Sequence, residues 1–422
     1  MDNIVRTDLS NGVRVISQDQ PHALTATVGA WLGVGSVDES ASQAGLAHFL
    51  EHLIFKGTPS RNARQIAERF DALGADINAF TTKETTCVHA RVLPEDLTEA
   101  VETIADLIEN PTLGDIDIEA ERGVVLEEIA MHEDTPDDLV YDLLAEAVWA
   151  EQGIGRRIQG VARTIKAATP DAIRAFHAAT YPRVPLVLAA SGRVDHAALV
   201  STAERCFRSE RPSALRADIW PRTTPARAVL GRDVEQSHLV LGVPGLSRTD
   251  ERRWALAVLN SALGGGMSSR LFQQIREERG LAYQVGSGNQ GFAGCGLFTI
   301  YAGCHPKHVA EVAGLIRGIV AEVARQGITD DELERAKGHL IGGLLMGFEE
   351  PGAMMHHLGK SLLLTPTLLM PDQIRDRIEA VTSAACLEVA RELFWSTDWS
   401  VAVVGPTPDP QVEGFRLDGE AA

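Results

Sequence analysis

Two stretches of this chain match each other at a nearly constant distance, and no other feature restricts the possible folds as much. The first, "LPEDLTEAVETIADLIENPTLGDIDIEAERGVVLEEIAMHEDTP", reads as a helix beginning near Pro94, a turn, and a second helix through Glu119. The second, "HPKHVAEVAGLIRGIVAEVARQGITDDELERAKGHLIGGLLMGFEEP", repeats that plan. Glu121-Arg122 returns as Glu334-Arg335 and Pro94 returns as Pro306, offsets of 213 and 212 in the numbering. Helical patterns alike in outline arise by chance, but an offset this steady points to duplication, so the chain is expected to fold as two related domains.

Each half opens with apolar stretches of strand type ("TATVGAWLGVGS", "SHLVLGVPG") and closes with another ("LVLAASGRV", "WSVAVVGP"), with helices between. The fold class that follows is α+β: two homologous domains, each a mostly antiparallel sheet with helices packed on one face. Residues 211–228, "RPSALRADIWPRTTPARA", hold three prolines between two patterned regions and read as a linker. Domains are therefore expected at 1–210 and 229–422, about 200 residues each, an ordinary size for one core.

A formal net charge of −19 disfavours nucleic acid, whose phosphates need a basic face. It suits a basic ligand, or it does no more than keep the protein soluble. No apolar run approaches a membrane span, and "MDNIVRTDLSNG" has no signal-peptide pattern. The five cysteines are odd in number and scattered, which gives a reducing, cytoplasmic setting as the expectation.

The stretch "AHFLEHLIFKGT", residues 47–58, places three titratable side chains in an otherwise apolar run. Residues three and four apart share a helix face, so His48, Glu51 and His52 project together, and Gly57 is placed to end the helix. Each is costly to bury unless something binds it. Two histidines one turn apart can ligate a metal, with the glutamate as base for a bound water; they can equally be satisfied helix-face histidines. A third ligand decides, and Glu128 is available in the same half. The offset that relates Glu121 to Glu334 carries Glu128 onto Ile341 and residues 48–52 onto "SALGG", 261–265. The second copy thus keeps none of these groups, as expected of one site that works as a unit.

Other patterns carry less. "ALGGGMSSR" lacks the lysine of a phosphate-binding loop, Pro306 interrupts Cys304, His305 and His308, and no G-x-S-x-G is present.

With "HFLEHLIFKGT", "DINAFTTKETT", "ERGVVLEEI" and "IREERGLAYQVGSG" in this order, the chain resembles the M16 metallopeptidases, the inverted-motif zinc family of pitrilysin, insulin-degrading enzyme and the mitochondrial processing peptidase. Its length is similar to the short processing-peptidase branch. The resemblance implies zinc held by His48, His52 and Glu128, the last lying 76 positions after His52 as in the family. It implies Glu51 as general base and Glu121 as a hydrogen-bonding partner of a ligand histidine; Glu121 could also be a solvated helix charge, since Glu334 persists in the copy without ligands.

The same resemblance assigns the peptide to an edge strand at Asn78, Ala79 and Phe80, with Val88 and His89 standing where the family often has aromatic residues. It gives Arg276 and Tyr283 to the substrate carbonyls and the developing oxyanion. Asp138 and Asp142, one helical turn apart, match acidic positions that accept arginine just before the cleavage point. The function implied is a zinc endopeptidase working in a closed chamber on peptides, arginine-containing ones above all. The rivals are a catalytically silent scaffold or a peptide-binding subunit. A homodimer is implied too, each site composed of zinc from one protomer and Arg276/Tyr283 of the other, with neither nucleic acid nor membrane as partner.

Overall fold

A computed structural model describes residues 3–150, 152–212, 220–406 and 412–417. Residues 213–219 of the expected linker lie outside the described residues. The first half runs β1 (Ile4–Asp8), β2 (Arg14–Asp19), β3 (Ala26–Leu32), α1 (Leu46–Ile54), α2 (Ala63–Leu73), β4 (Asp76–Thr81), β5 (Thr86–Val92), α3 (Leu97–Glu109), α4 (Asp115–Glu133), α5 (Pro136–Trp149), α6 (Ala162–Ala167), α7 (Pro170–Thr180), β6 (Leu186–Gly192) and α8 (His196–Cys206). The second runs β7 (Arg227–Gly231), β8 (Ser237–Pro244), α9 (Arg253–Gly264), β9 (Ala282–Gly291), β10 (Gly296–Cys304), α10 (Val309–Gln326), α11 (Asp330–Gly347), α12 (Pro351–Leu364), α13 (Pro371–Glu379), α14 (Ser383–Phe394) and β11 (Ser400–Gly405).

The duplication is plain in the sheets. The first has the order β1-β2-β6-β3-β5-β4, the second β7-β11-β8-β10-β9. Dropping β1 makes the two orders correspond, and each sheet has one parallel pair, β2 with β6 and β7 with β11, among antiparallel ones. Pro94 and Pro306 each open a short 3-10 turn before a long helix, α3 and α10, because proline tolerates a helix start, where its missing N–H is not needed.

The compact units do not follow the halves of the chain. One unit joins residues 1–130 and 156–216 to 346–369; the other joins 131–155 to 217–345 and 370–422. Two helices therefore change allegiance. In the first unit, helices of the first half pack on one sheet face, while α12, from the second half, packs against β2, β3 and β6. Trp31, Ile16, Cys87 and Val187 meet Met354, Met355, Leu358 and Leu362 there, in a core separate from the one under α1. To the expected layer of helices on one face, the first sheet thus adds α12 on the other. In the second unit, α5 packs on β7, β8 and β11, while α10 and α14 also contact β8.

Two glycines make room for these helices. A methyl group on Gly29 in β3 would stand 2.6 Å from Met355 Sδ of α12, and one on Gly242 in β8 would stand 2.7 Å from Leu144 Cδ2 of α5. Gly29 and Gly242 are related by the same offset as Glu121 and Glu334. Among the described residues, no helix is long and apolar enough to cross a membrane.

Candidate metal centre

Helix α1 has the composition of a core helix with one polar stripe. Leu46, Ala47, Phe49, Leu50, Leu53 and Ile54 are buried, which leaves His48, Glu51 and His52 on the remaining face. The helix ends at Ile54; Gly57, with φ of 134°, turns the chain two residues past the C-cap Phe55.

Helix α4 brings two carboxylates to that stripe. Glu128 Oε2 lies 3.6 Å from His48 Nε2 and 3.3 Å from His52 Nε2. Glu121, two turns earlier, accepts from His52 Nδ1 at 3.0 Å, and its other oxygen pairs with Lys56. A proton fixed on Nδ1 leaves the Nε2 lone pair of His52 facing Glu128. Burial, with His52 beside it, pushes the pKa of His48 down to about 4, so its ring is neutral at neutral pH. Burial also raises the Glu51 carboxyl above its ordinary range. Glu51 Oε2 and His48 Nδ1 are both buried and without a hydrogen-bond partner.

This set fits a divalent ion. The three donors of His48, His52 and Glu128 lie within 4.8 Å of one another. Two donors each ~2.1 Å from a tetrahedral ion stand roughly 3.4 Å apart, between the two separations given above. Among the described residues, no other group of histidine, cysteine and carboxylate side chains comes together in this way. His305 instead accepts from the Lys307 amide and His308 pairs with Glu311.

The other expected residues separate into three places. Strand β4 is the edge of its sheet, with β5 as its one neighbour, and presents Asn78 and Ala79 there. Phe80 turns the other way: its ring stacks on His356 at 5.3 Å and meets Trp31 at 5.5 Å, under α12. A strand alternates its faces, so Ala79 and Phe80 cannot line one cleft with their side chains. His89 packs in the same group, 5.6 Å from His356.

The second unit holds a cleft of about 860 Å³ lined by Asp137, Asp138, Tyr141, Phe272 and Arg276, together with strand β9. The guanidinium of Arg276 lies 4.6 Å from the Phe272 ring centre and 5.1 Å from that of Tyr283, which is 70% exposed, so the expected Arg/Tyr pair does meet. Asp138 lines this cleft and Asp142 is not among its lining residues; Asp142 Oδ2 pairs with His132 Nε2 at 2.9 Å. Sequence reasoning missed Asp137, which lines the cleft, and Lys56, which pairs with Glu121. Lys56 follows His52 by four residues, just past the C-cap Phe55, and that proximity was the available signal.

A family model described as Insulinase (Peptidase family M16) matches residues 14–161, and one described as Peptidase M16 inactive domain matches residues 167–340. An uncharacterized zinc protease of Streptomyces coelicolor is 44% identical over 415 residues, covering 96% of this chain and 90% of that protein. The chain belongs to the M16 peptidase family. The first match contains the whole His48–Glu128 cluster, and the second contains α9, Arg276 and Tyr283. An uncharacterized zinc protease of Mycobacterium tuberculosis is 43% identical over 407 residues, 95% of this chain and 93% of that one. The Bacillus subtilis zinc protease YmxG is 35% identical over 405 residues, with 96% and 98% covered. In fold, the chain is similar to an M16 inactive-domain protein of Pseudomonas fluorescens (TM-score 0.88, 20% identity, 99% of this chain and 100% of that one). It is equally similar to a protease of Helicobacter pylori (TM-score 0.88, 22% identity, 96% and 99%).

Proposed function

We propose that the chain is a zinc-dependent endopeptidase acting on peptides, with His48, His52 and Glu128 as ligands and Glu51 as general base. The observation that carries this is the convergence of two imidazole nitrogens and one carboxylate oxygen beside a buried glutamate whose Oε2 has no partner. Three protein ligands leave a position open, as in catalytic rather than structural sites. Zinc, when bound, supplies a Lewis acid for the scissile carbonyl and acidifies a water. Glu51 accepts the proton of the attacking water and returns it to the departing amine nitrogen as the C–N bond breaks. Glu121 holds the tautomer and orientation of His52. Strand β4 takes the peptide by backbone pairing along its open edge.

Arg276 and Tyr283 stabilise the oxyanion, in a site composed of two copies: zinc from one protomer, the Arg/Tyr pair from the other, inside a closed chamber. Because this chain carries both sets, a homodimer suffices. Asp137 and Asp138 give the cleft its acidic lining and favour arginine-containing peptides. None of the five cysteines is joined in a disulfide, which suits a reducing cytoplasm.

The deciding experiment is incubation of the zinc-loaded protein with a mixed peptide library, with and without chelator, read by mass spectrometry. Internal cleavages that vanish with chelator are expected; a library left intact by the metal-loaded protein overturns the reading.

A further inference from the structure

Helix α1 begins without a cap of its own. Its N-cap residue, Gly45, is left-handed at φ of 94° and has no side chain to accept from the first turn. The first amides of a helix have no intrahelical acceptor, and here they are buried. Another residue serves them. Glu39, 4% exposed, accepts from the Gly45 amide through Oε2 at 2.9 Å and from the Ala47 amide through Oε1 at 2.7 Å.

The loop that carries Glu39 is itself fastened elsewhere. Ser36 N donates to Thr82 O at 3.2 Å and Val37 N to Lys83 O at 2.9 Å, both in the turn that joins β4 to β5. Lys83 donates in turn to the Arg156 carbonyl, and Arg156 donates to the Glu39 carbonyl. Glu39 thus connects the end of the edge strand to the start of the helix bearing His48, Glu51 and His52. Burial pushes its carboxyl up to about 8 against the pull of the two amides, the mark of a group held out of water.

We infer that Glu39 is a positioning residue, fixing where α1 starts and how it is rotated against β4, and through this the separation of the His48/His52 pair from Glu128. Gly45 belongs to the same device: a methyl there would stand 2.5 Å from the Gln159 carbonyl oxygen, so a side-chain cap at that position is excluded. The inference rests on the zinc-peptidase reading for its purpose, but not for its geometry.

The test uses the full chain, wild type and Glu39→Gln, loaded with cobalt in place of zinc. Glutamine keeps the shape but offers one carbonyl oxygen to two amides. Chelator competition is expected to show metal affinity lowered ~10–100-fold, the range for partners that orient ligands. The visible absorption of the bound cobalt is expected to change in shape while circular dichroism stays native. A merely structural role moves the melting temperature and leaves that spectrum alone; wild-type affinity and spectrum in Glu39→Gln overturn the inference. Should Glu39→Gln not fold, hydrogen exchange on the wild type decides. Gly45 and Ala47 amides as protected as the interior of α1 support the inference, and amides exchanging like unbonded ones overturn it. Failure of the wild type to bind cobalt sinks the peptidase reading instead, and the exchange measurement still judges Glu39.

Discussion

Helices α1 and α9 hold the same place in two copies of one plan, each following a central strand, β3 or β8, and preceding the edge strand, β4 or β9. Yet α1 presents His48, Glu51 and His52, whereas α9, "RWALAVLNSALG", contains no histidine, cysteine or carboxylate. The second unit closes its core without such groups. The polar stripe of α1 is therefore no requirement of the architecture, and it carries a desolvation cost that α9 avoids. The same contrast holds between Glu121, with 8% of its side chain exposed and against His52, and its counterpart Glu334, 74% exposed and 3.6 Å from Lys337. One fold supports a copy with a buried polar cluster and a copy without it.

The largest expected effect separates the copies by chemistry. Glu51→Gln lowers peptide turnover by at least roughly 10²–10⁴-fold while elemental analysis still finds zinc. Substantial turnover by that metal-loaded variant removes Glu51 from the role of base. Next, His48→Ala, His52→Ala and Glu128→Ala each strip the metal, whereas His339→Ala on α11 leaves one ion per chain. Finding two ions per chain in the wild type breaks the comparison outright.

Glu121→Gln sharpens it. Zinc affinity is expected to fall ~10–100-fold by chelator titration, while Glu334→Gln leaves affinity unchanged and shifts stability by less than about 0.5 kcal/mol. Equal behaviour of the two variants returns Glu121 to the status of a solvated helix charge.

Where the copies agree, a matched pair of substitutions should agree too. Gly29→Ala and Gly242→Ala each push a methyl into a packed helix and are expected to cost about 1–3 kcal/mol in denaturant unfolding. A neutral result for one of them alone shows that its exchanged helix packs less tightly than the other.

The smallest effect belongs to the first unit. Burial lowers the pKa values of His89 and His356 below the ordinary 6.5, and the neighbouring His356 adds to the shift at His89. A histidine kept neutral in the fold adds stability above 6.5 that is lost as pH falls toward its lowered value. Trp31 fluorescence should therefore report loosening of α12 below pH ~6, reduced in His356→Phe. An unchanged acid transition in that variant assigns the loosening elsewhere.

The clustering of His48, Glu51, His52, Glu121 and Glu128 could be anticipated from the chain because it lies on local periodicity. His48, Glu51 and His52 share a face by helical spacing alone, and Glu121 and Glu128 by two turns of another helix. The duplication was readable for a similar reason, as a repeat of pattern. What could not be read depends on which surfaces meet. Amphipathicity says that α5 and α12 each bury a face, but not that each buries it on the sheet built from strands of the opposite half. Phe80 follows from that: its ring belongs under α12, a partner from the far half of the chain that no strand pattern announces. The spacing of Asp142 from Asp138 is local and legible, while its pairing with His132 depends on how the chain turns between α4 and α5. Glu39 sits in a loop with no periodicity at all.

The exchanged helices also set a timetable for synthesis. The strands of the first sheet are complete once Gly192 has left the ribosome, but the helix that covers Trp31, Val187 and Ile16 begins at Pro351. At ~5–20 residues per second, translation leaves that face bare for on the order of 10–30 s. During that interval the nascent chain offers an apolar surface flanked by open strand edges, the combination that invites aggregation or capture by a holding chaperone. A release of the chain after the first half would leave the same face bare permanently, so neither half of this gene product is expected to survive in a cell as a free-standing protein.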